Sequence, residues 1–118
     1  MLFGSDRPED VVAEPLNLPI GPGGAVKVVK YAKNAKKVVV IGEKMAERVI
    51  PYAKKINATW FKPTGKNPAN WMRNQVQWIR RQIKDPNTTI IDIGSKGAKP
   101  VSPYYQKELD MLRKWLGY

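Results

Sequence analysis

The chain has 118 residues, enough for one domain with a modest core, and its formal net charge is +11. It contains neither cysteine nor histidine. That composition excludes disulfide staples, thiolate metal sites and the side chain that most often acts as a general base near neutral pH.

No stretch is apolar over the length of a membrane span, and the N-terminus lacks the basic-then-apolar layout of a signal peptide. The sequence therefore reads as a soluble domain. The charge is unevenly placed. Residues 1–24 carry Arg7 against Asp6, Glu9, Asp10 and Glu14, whereas residues 25–118 carry 20 basic side chains against 6 acidic ones. A compact body with that excess repels itself, and a polyanion or an acidic protein relieves the repulsion. The run PLNLPIGPGG (15–24) holds three prolines and three glycines and suits neither a helix nor a central strand. It divides an N-terminal arm or linker, 1–24, from a single basic domain, 25–118. Its glycines follow no strand and precede no GKS or GKT, so they make no phosphate loop.

In chain order, Ala25 to Lys36 reads as a lysine-rich helix. Lys37 to Gly42 is a β-branched run ending in glycine, the pattern of a strand buried on both faces. Met45, Val49, Tyr52, Ala53 and Ile56 recur at helical spacing, with Pro51 either kinking the helix or opening a second one. Ala58 to Phe61 is a short candidate strand. Asn67-Pro68 starts a helix that reaches Lys84, with Met72, Val76, Ile79 and Ile83 on its apolar face. Thr88 to Ile93 is a strand, and Ser102-Pro103 opens a last helix that buries Tyr105, Leu109, Leu112 and Leu116. Strands separated by helices predict an α/β (or α+β) fold with a small, partly parallel sheet of three to four strands flanked by helices.

The helix from Pro68 carries Arg73, Gln77, Arg80 and Lys84 opposite its apolar face, with Arg81 beside them. The stripe is either a track for a phosphate backbone or a plain solvated face. Trp71 and Trp78, nearly in line, either pack into the core or stack a base. In Ile90-Ile91-Asp92-Ile93-Gly94, a carboxylate interrupts an apolar strand, costly unless it is paired or hydrogen-bonded. Glu43 follows the first strand at the equivalent end. Parallel neighbours would bring Glu43 and Asp92 to one rim, where ligands of open α/β sheets bind. Arg48, Lys62, Lys66, Lys96 and Lys99 lie on segments that reach this rim, and Glu108 with Tyr104 or Tyr105 completes the cluster.

The segments VVVIGEKMAERV (38–49), NWMRNQVQWIRRQI (70–83), TTIIDIG (88–94) and SPYYQKE (102–108) resemble, in order, a C-terminal domain of bacterial polymorphic toxins. Such domains end contact-dependent growth inhibition (CdiA-type) and Rhs-type effectors. Glu43, Met45, Arg48, Trp78, Asp92, Ser102, Tyr105 and Glu108 fall on the pattern positions. The chain departs from the pattern at Asp85-Pro86-Asn87-Thr88, where a glycine-arginine turn is expected. The resemblance implies secretion as part of a larger effector, action in the cytoplasm of a target bacterium, and a cognate immunity protein. The basic charge predicts that this inhibitor is acidic, and a target-cell helper factor is a further expected partner.

Metal-independent RNA cleavage needs a base for the 2′-hydroxyl, cations for the phosphorane and an acid for the leaving oxygen. The leading expectation is a ribonuclease acting on tRNA or another structured RNA, without cofactor. Glu43 or Asp92 would be the base and Arg48 the phosphate holder, with Tyr105 and Glu108 beside them. Lys62, Lys66, Arg73, Gln77, Arg80, Arg81, Lys84 and Lys96 would bind the nucleic acid. The alternatives are a DNase holding magnesium through Glu43, Asp92 and Glu108, an NAD- or nucleotide-degrading toxin, and a non-catalytic RNA-binding module.

Overall fold

The computed structural model describes residues 18–22, 26–63, 65–97, 100 and 102–118. Most of the arm expected over residues 1–24 lies outside the described residues, as does Lys99. Strand β3 (Thr88–Asp92) is buried at all five positions and forms the centre of a three-stranded sheet of order β1-β3-β2. Strand β2 (Lys37–Ile41) runs parallel to it, with Lys37 opposite Thr88 and Ile41 opposite Asp92. Strand β1 (Lys27–Lys30) runs antiparallel, with Lys27 opposite Asp92 and a register irregularity between Val28 and Lys30. The fold is thus a small mixed α/β arrangement, as the alternation of strands and helices predicts.

β1 corrects the lysine-rich helix expected over residues 25–36. Its valines, Val28 and Val29, gain more by pairing beside β3 than the lysines gain as a helix, so tertiary context overrides local propensity. Lys30 adds a tie: its ammonium donates to the carbonyls of Gln82 (2.6 Å), Ile83 (2.9 Å) and Asp85. These are carbonyls at the end of a helix, where a cation is favoured. Burial lowers the Lys30 pKa, while Asp85 nearby pulls it back up.

Met45–Val49 forms a π-helical turn that leads into helix α1 (Ile50–Lys55), with Pro51 in its first turn. The first of the two readings for Pro51, a kink, thus gives way to the second. The expected strand at Ala58–Phe61 is reduced to one bridge, Thr59 to Val39. A 3₁₀ turn (Pro68–Asn70), capped by the Asn67 side chain accepting from the Ala69 amide, leads into helix α2 (Trp71–Lys84). Helix α3 (Pro103–Leu116) starts at Ser102, whose hydroxyl accepts from the Tyr105 amide, and ends at Gly117. Leu116, expected inside, is 39 % exposed.

Each strand side has its own core. Val39, Ile41 and Ile90 pack with Ile79 and Ile83 of α2 and Leu112 of α3. On the other face Val40, Ile91 and Ile93 pack with Val49, Tyr52 and Ala53 around α1. This two-sided burial is why consecutive residues of both long strands, Val38 to Ile41 and Ile90 with Ile91, are apolar. No helix among the described residues is long and apolar enough to cross a membrane.

Candidate functional site

Asp92 is the last residue of β3 and only 4 % exposed. Its carboxylate is nevertheless well supplied with donors. The Tyr105 hydroxyl donates to both oxygens, at 2.8 and 3.0 Å, and the Tyr118 hydroxyl to one of them at 2.9 Å. The Gly94 amide adds a bond of 2.8 Å. Gly117 places Tyr118: its φ of 69° is the left-handed conformation that suits glycine, and it turns the chain end back under α3 toward the sheet. Burial, then the negative charge of Asp92, pushes both phenols well above their ordinary pKa. Both therefore hold their protons and donate.

Asp92 forms part of the wall of a cavity of about 470 Å³, together with Tyr105 and Tyr118. Among the described residues three cations also line it: Lys27, Lys96 and Arg113. Lys27 faces Asp92 directly across the β1–β3 ladder, so both side chains project from the same sheet face. A carboxylate, two phenols and three cations around one cavity can accept a proton, donate one and hold a phosphate.

The parallel pairing of β2 with β3 brings Glu43 and Asp92 to one rim in the backbone, as expected, but the side chains diverge. Glu43 is 1 % exposed, and its two carboxylate oxygens accept the backbone amides of Lys96 (3.0 Å) and Ser102 (2.6 Å). It pins both ends of the loop between β3 and α3. Arg48 is also buried. It donates to the carbonyls of Glu43 and Gly94, both at 3.0 Å, and of Ile93 at 3.1 Å. The guanidinium is committed to the strand ends, which makes Arg48 and Glu43 positioning residues for the cavity wall.

Glu108 lies one turn beyond Tyr105 on α3, on a second cavity of about 440 Å³ that Glu43 and Tyr105 also line. Burial pushes its pKa up to about 8, Asp92 adds to the rise and a hydrogen bond from Gln75 opposes it. Glu108 is a proton-holding carboxyl at neutral pH, separated from Asp92 by Tyr105. Among the described residues no group of three or more Asp, Glu, His or Cys side chains is placed to hold a metal ion. Glu43, Asp92 and Glu108 share a neighbourhood but not one ligand cage.

The basic residues expected along α2 divide between two other surfaces. Gln77 and Arg81 line a groove with Lys62, while Arg80 and Lys84 sit 5.8 and 5.3 Å from the ring of Trp115. Arg73 and Lys66 are exposed outside both groups. Of the two tryptophans, Trp78 packs against the core and Trp71 donates from its indole to the Gly65 carbonyl at 3.3 Å. Asp85 accepts from the Asn87 amide (2.8 Å) and the Thr88 hydroxyl (2.9 Å), closing the turn into β3.

Lys96 is the one expected nucleic-acid residue on the Asp92 cavity. Lys27, Arg113 and Tyr118 escaped the sequence reading. For Tyr118 a signal existed: a glycine directly after a helix, with an aromatic beyond it. No family model, curated protein or solved structure matches the chain.

Proposed function

We propose that this chain is the toxin domain of a larger bacterial effector and acts as a ribonuclease, with the scissile phosphate seated in the Asp92 cavity. One observation carries the reading: a buried carboxylate, two proton-holding tyrosines and three cations line a single cavity. In the proposed reaction Asp92 takes the proton of a 2′-hydroxyl, whose oxygen attacks the adjacent phosphorus. Lys27, Lys96 and Arg113 stabilise the charge that builds on the phosphorane. Tyr118 gives its proton to the departing 5′-oxygen, leaving a 2′,3′-cyclic phosphate. Protonating Asp92 removes one of the charges that hold the Tyr118 proton, so the first transfer favours the second. Four of the five catalytic positions expected from the sequence keep roles near the cavity without acting directly: Glu43 and Arg48 shape it, Tyr105 holds Asp92, and Glu108 stands behind Tyr105.

The resemblance to polymorphic toxin domains supports delivery into a target bacterium, and the basic body suits an acidic immunity protein. The test is controlled expression of the chain, followed by inspection of total RNA and chromosomal DNA before growth stops. Purified protein is then assayed on tRNA in excess chelator. RNA should be cut with cyclic phosphate ends, and Asp92→Asn and Tyr118→Phe should each slow cutting by about 100-fold or more while remaining folded. Intact RNA with chelator-sensitive DNA loss would replace this reading with the metal-dependent DNase. RNA binding without cleavage would leave a non-catalytic module.

A further inference from the structure

The molecule has a second concave surface suited to nucleic acid, beside β2 on its side away from β3. It is a groove of about 510 Å³ lined by Trp60, Phe61 and Trp78 together with Lys37, Lys62 and Arg81. Lys37 opens β2, whereas Ile41, which pairs with Asp92, closes it. At the rise of a strand, Lys37 of the groove stands on the order of 13 Å along β2 from Ile41. We propose that the groove is a single-stranded RNA subsite. Unpaired bases stack on its aromatic rings, and Lys37, Lys62 and Arg81 hold the flanking phosphates.

Three observations carry this. The aromatic residues pack against the cores with one side and still line the groove: Trp60 and Trp78 are half-buried, and Phe61 lies against Trp78 with centroids 5.5 Å apart and planes tilted by 55°. The Lys62 ammonium sits 4.6 Å above the Trp60 ring, so that face is held by an exposed side chain that a π partner can displace. An incoming base takes the face and the ammonium swings to the phosphate beside it. Among the described residues the lining contains Lys37, Lys62 and Arg81 and no carboxylate, which suits a polyanion, and Asn74 and Gln77 add amides that can donate to or accept from base edges. A duplex fits poorly, because its stacked bases hide the ring faces that the aromatic residues would cover.

The inference deepens the ribonuclease reading, on which it rests for the identity of the polyanion. It selects RNA with an unpaired stretch next to the cut. The test is fluorescence anisotropy with a labelled single-stranded RNA of about ten nucleotides, and with the same strand annealed to its complement. The native chain should bind the single strand at least about fivefold more tightly. Trp60→Leu should cost about tenfold or more on the single strand and leave the duplex nearly unchanged. Lys37→Gln with Arg81→Gln should flatten the salt dependence for the single strand by about 1.4 in log–log slope. Should Trp60→Leu unfold, the exposed Lys62→Gln and Arg81→Gln changes decide the matter in its place, through the same slope. Equal affinity for both RNA forms, or folded variants that bind as the native chain does, would overturn the groove assignment. Asp92→Asn separates the two readings. Cleavage lost with single-strand binding retained supports both, whereas a cutting enzyme indifferent to groove changes removes only the groove.

Discussion

Glu108 offers a direct test of the buried cluster, because a carboxyl raised this far titrates where ordinary carboxylates do not. With no histidine and no cysteine, no side chain of ordinary pKa changes charge between about pH 5 and 8. Glu108 is raised into that range, by burial, from 4.5 to about 8. Between those values Glu108 keeps its proton in the native chain and has lost it in the unfolded chain, so its contribution to stability falls as pH rises. It is fully present below 4.5 and lost above about 8. At about 1.36 kcal/mol per pH unit, the loss across that window is at most on the order of 5 kcal/mol. Glu108→Gln keeps the shape and removes the charge. The variant should match the native chain within about 1 kcal/mol at pH 5 and exceed it by a few kcal/mol at pH 8.5. Urea unfolding followed by tryptophan fluorescence, at fixed ionic strength from pH 5 to 9, reads the difference. The amino terminus titrates near pH 8 in both proteins and cancels. Parallel stability curves for the two would show that Glu108 is ionised and solvated in the native state, and would refute the reasoning.

Arg48→Met strips three carbonyl acceptors of a buried guanidinium and should lower stability by about 3 kcal/mol or more in urea. Arg48→Lys should be only a partial rescue, since an ammonium lacks the planar fork, and a fully stable Arg48→Met would contradict the positioning role. In Gly42→Ala the new methyl would stand 2.5 Å from Ile93 Cγ1, an overlap worth about 1–3 kcal/mol. Combined with Ile93→Ala, much of that penalty should vanish in a double-mutant cycle; strict additivity would place the clash elsewhere. Lys30→Met should release the carbonyls that end α2, costing about 1–2 kcal/mol and speeding amide exchange across the turn into β3. Unchanged exchange there would mean that water replaces the ammonium without loss.

Much of this architecture is legible in the residues because its signals are local. The β-branched run from Lys37 and the threonine-isoleucine run from Thr88 announce strands buried on both faces. Asn67-Pro68 and Ser102-Pro103 announce helix starts, since a capping side chain and a fixed φ act within one turn. Asp92 announces itself too, as the one charge in an apolar strand. β1 does not. Two valines between lysines make a strand only because β3 offers an edge to pair with, and mistaking it for a helix also hid Lys27 from the site.

By itself, then, the sequence determined the strongly basic body, the two long strands, the two long helices and the oddity of Asp92, all properties of residues and their near neighbours. Only the tertiary structure decided which groups meet. Crossing the sheet sets Lys27 opposite Asp92, the turn at Gly117 returns Tyr118 to it, and the strand ends claim Arg48 for their carbonyls. It also split one helical stripe of cations between an aromatic groove and Trp115. The physical reason is one of range: caps and periodicity act over a few residues, whereas a site is assembled from side chains that only long-range pairing brings within hydrogen-bonding distance.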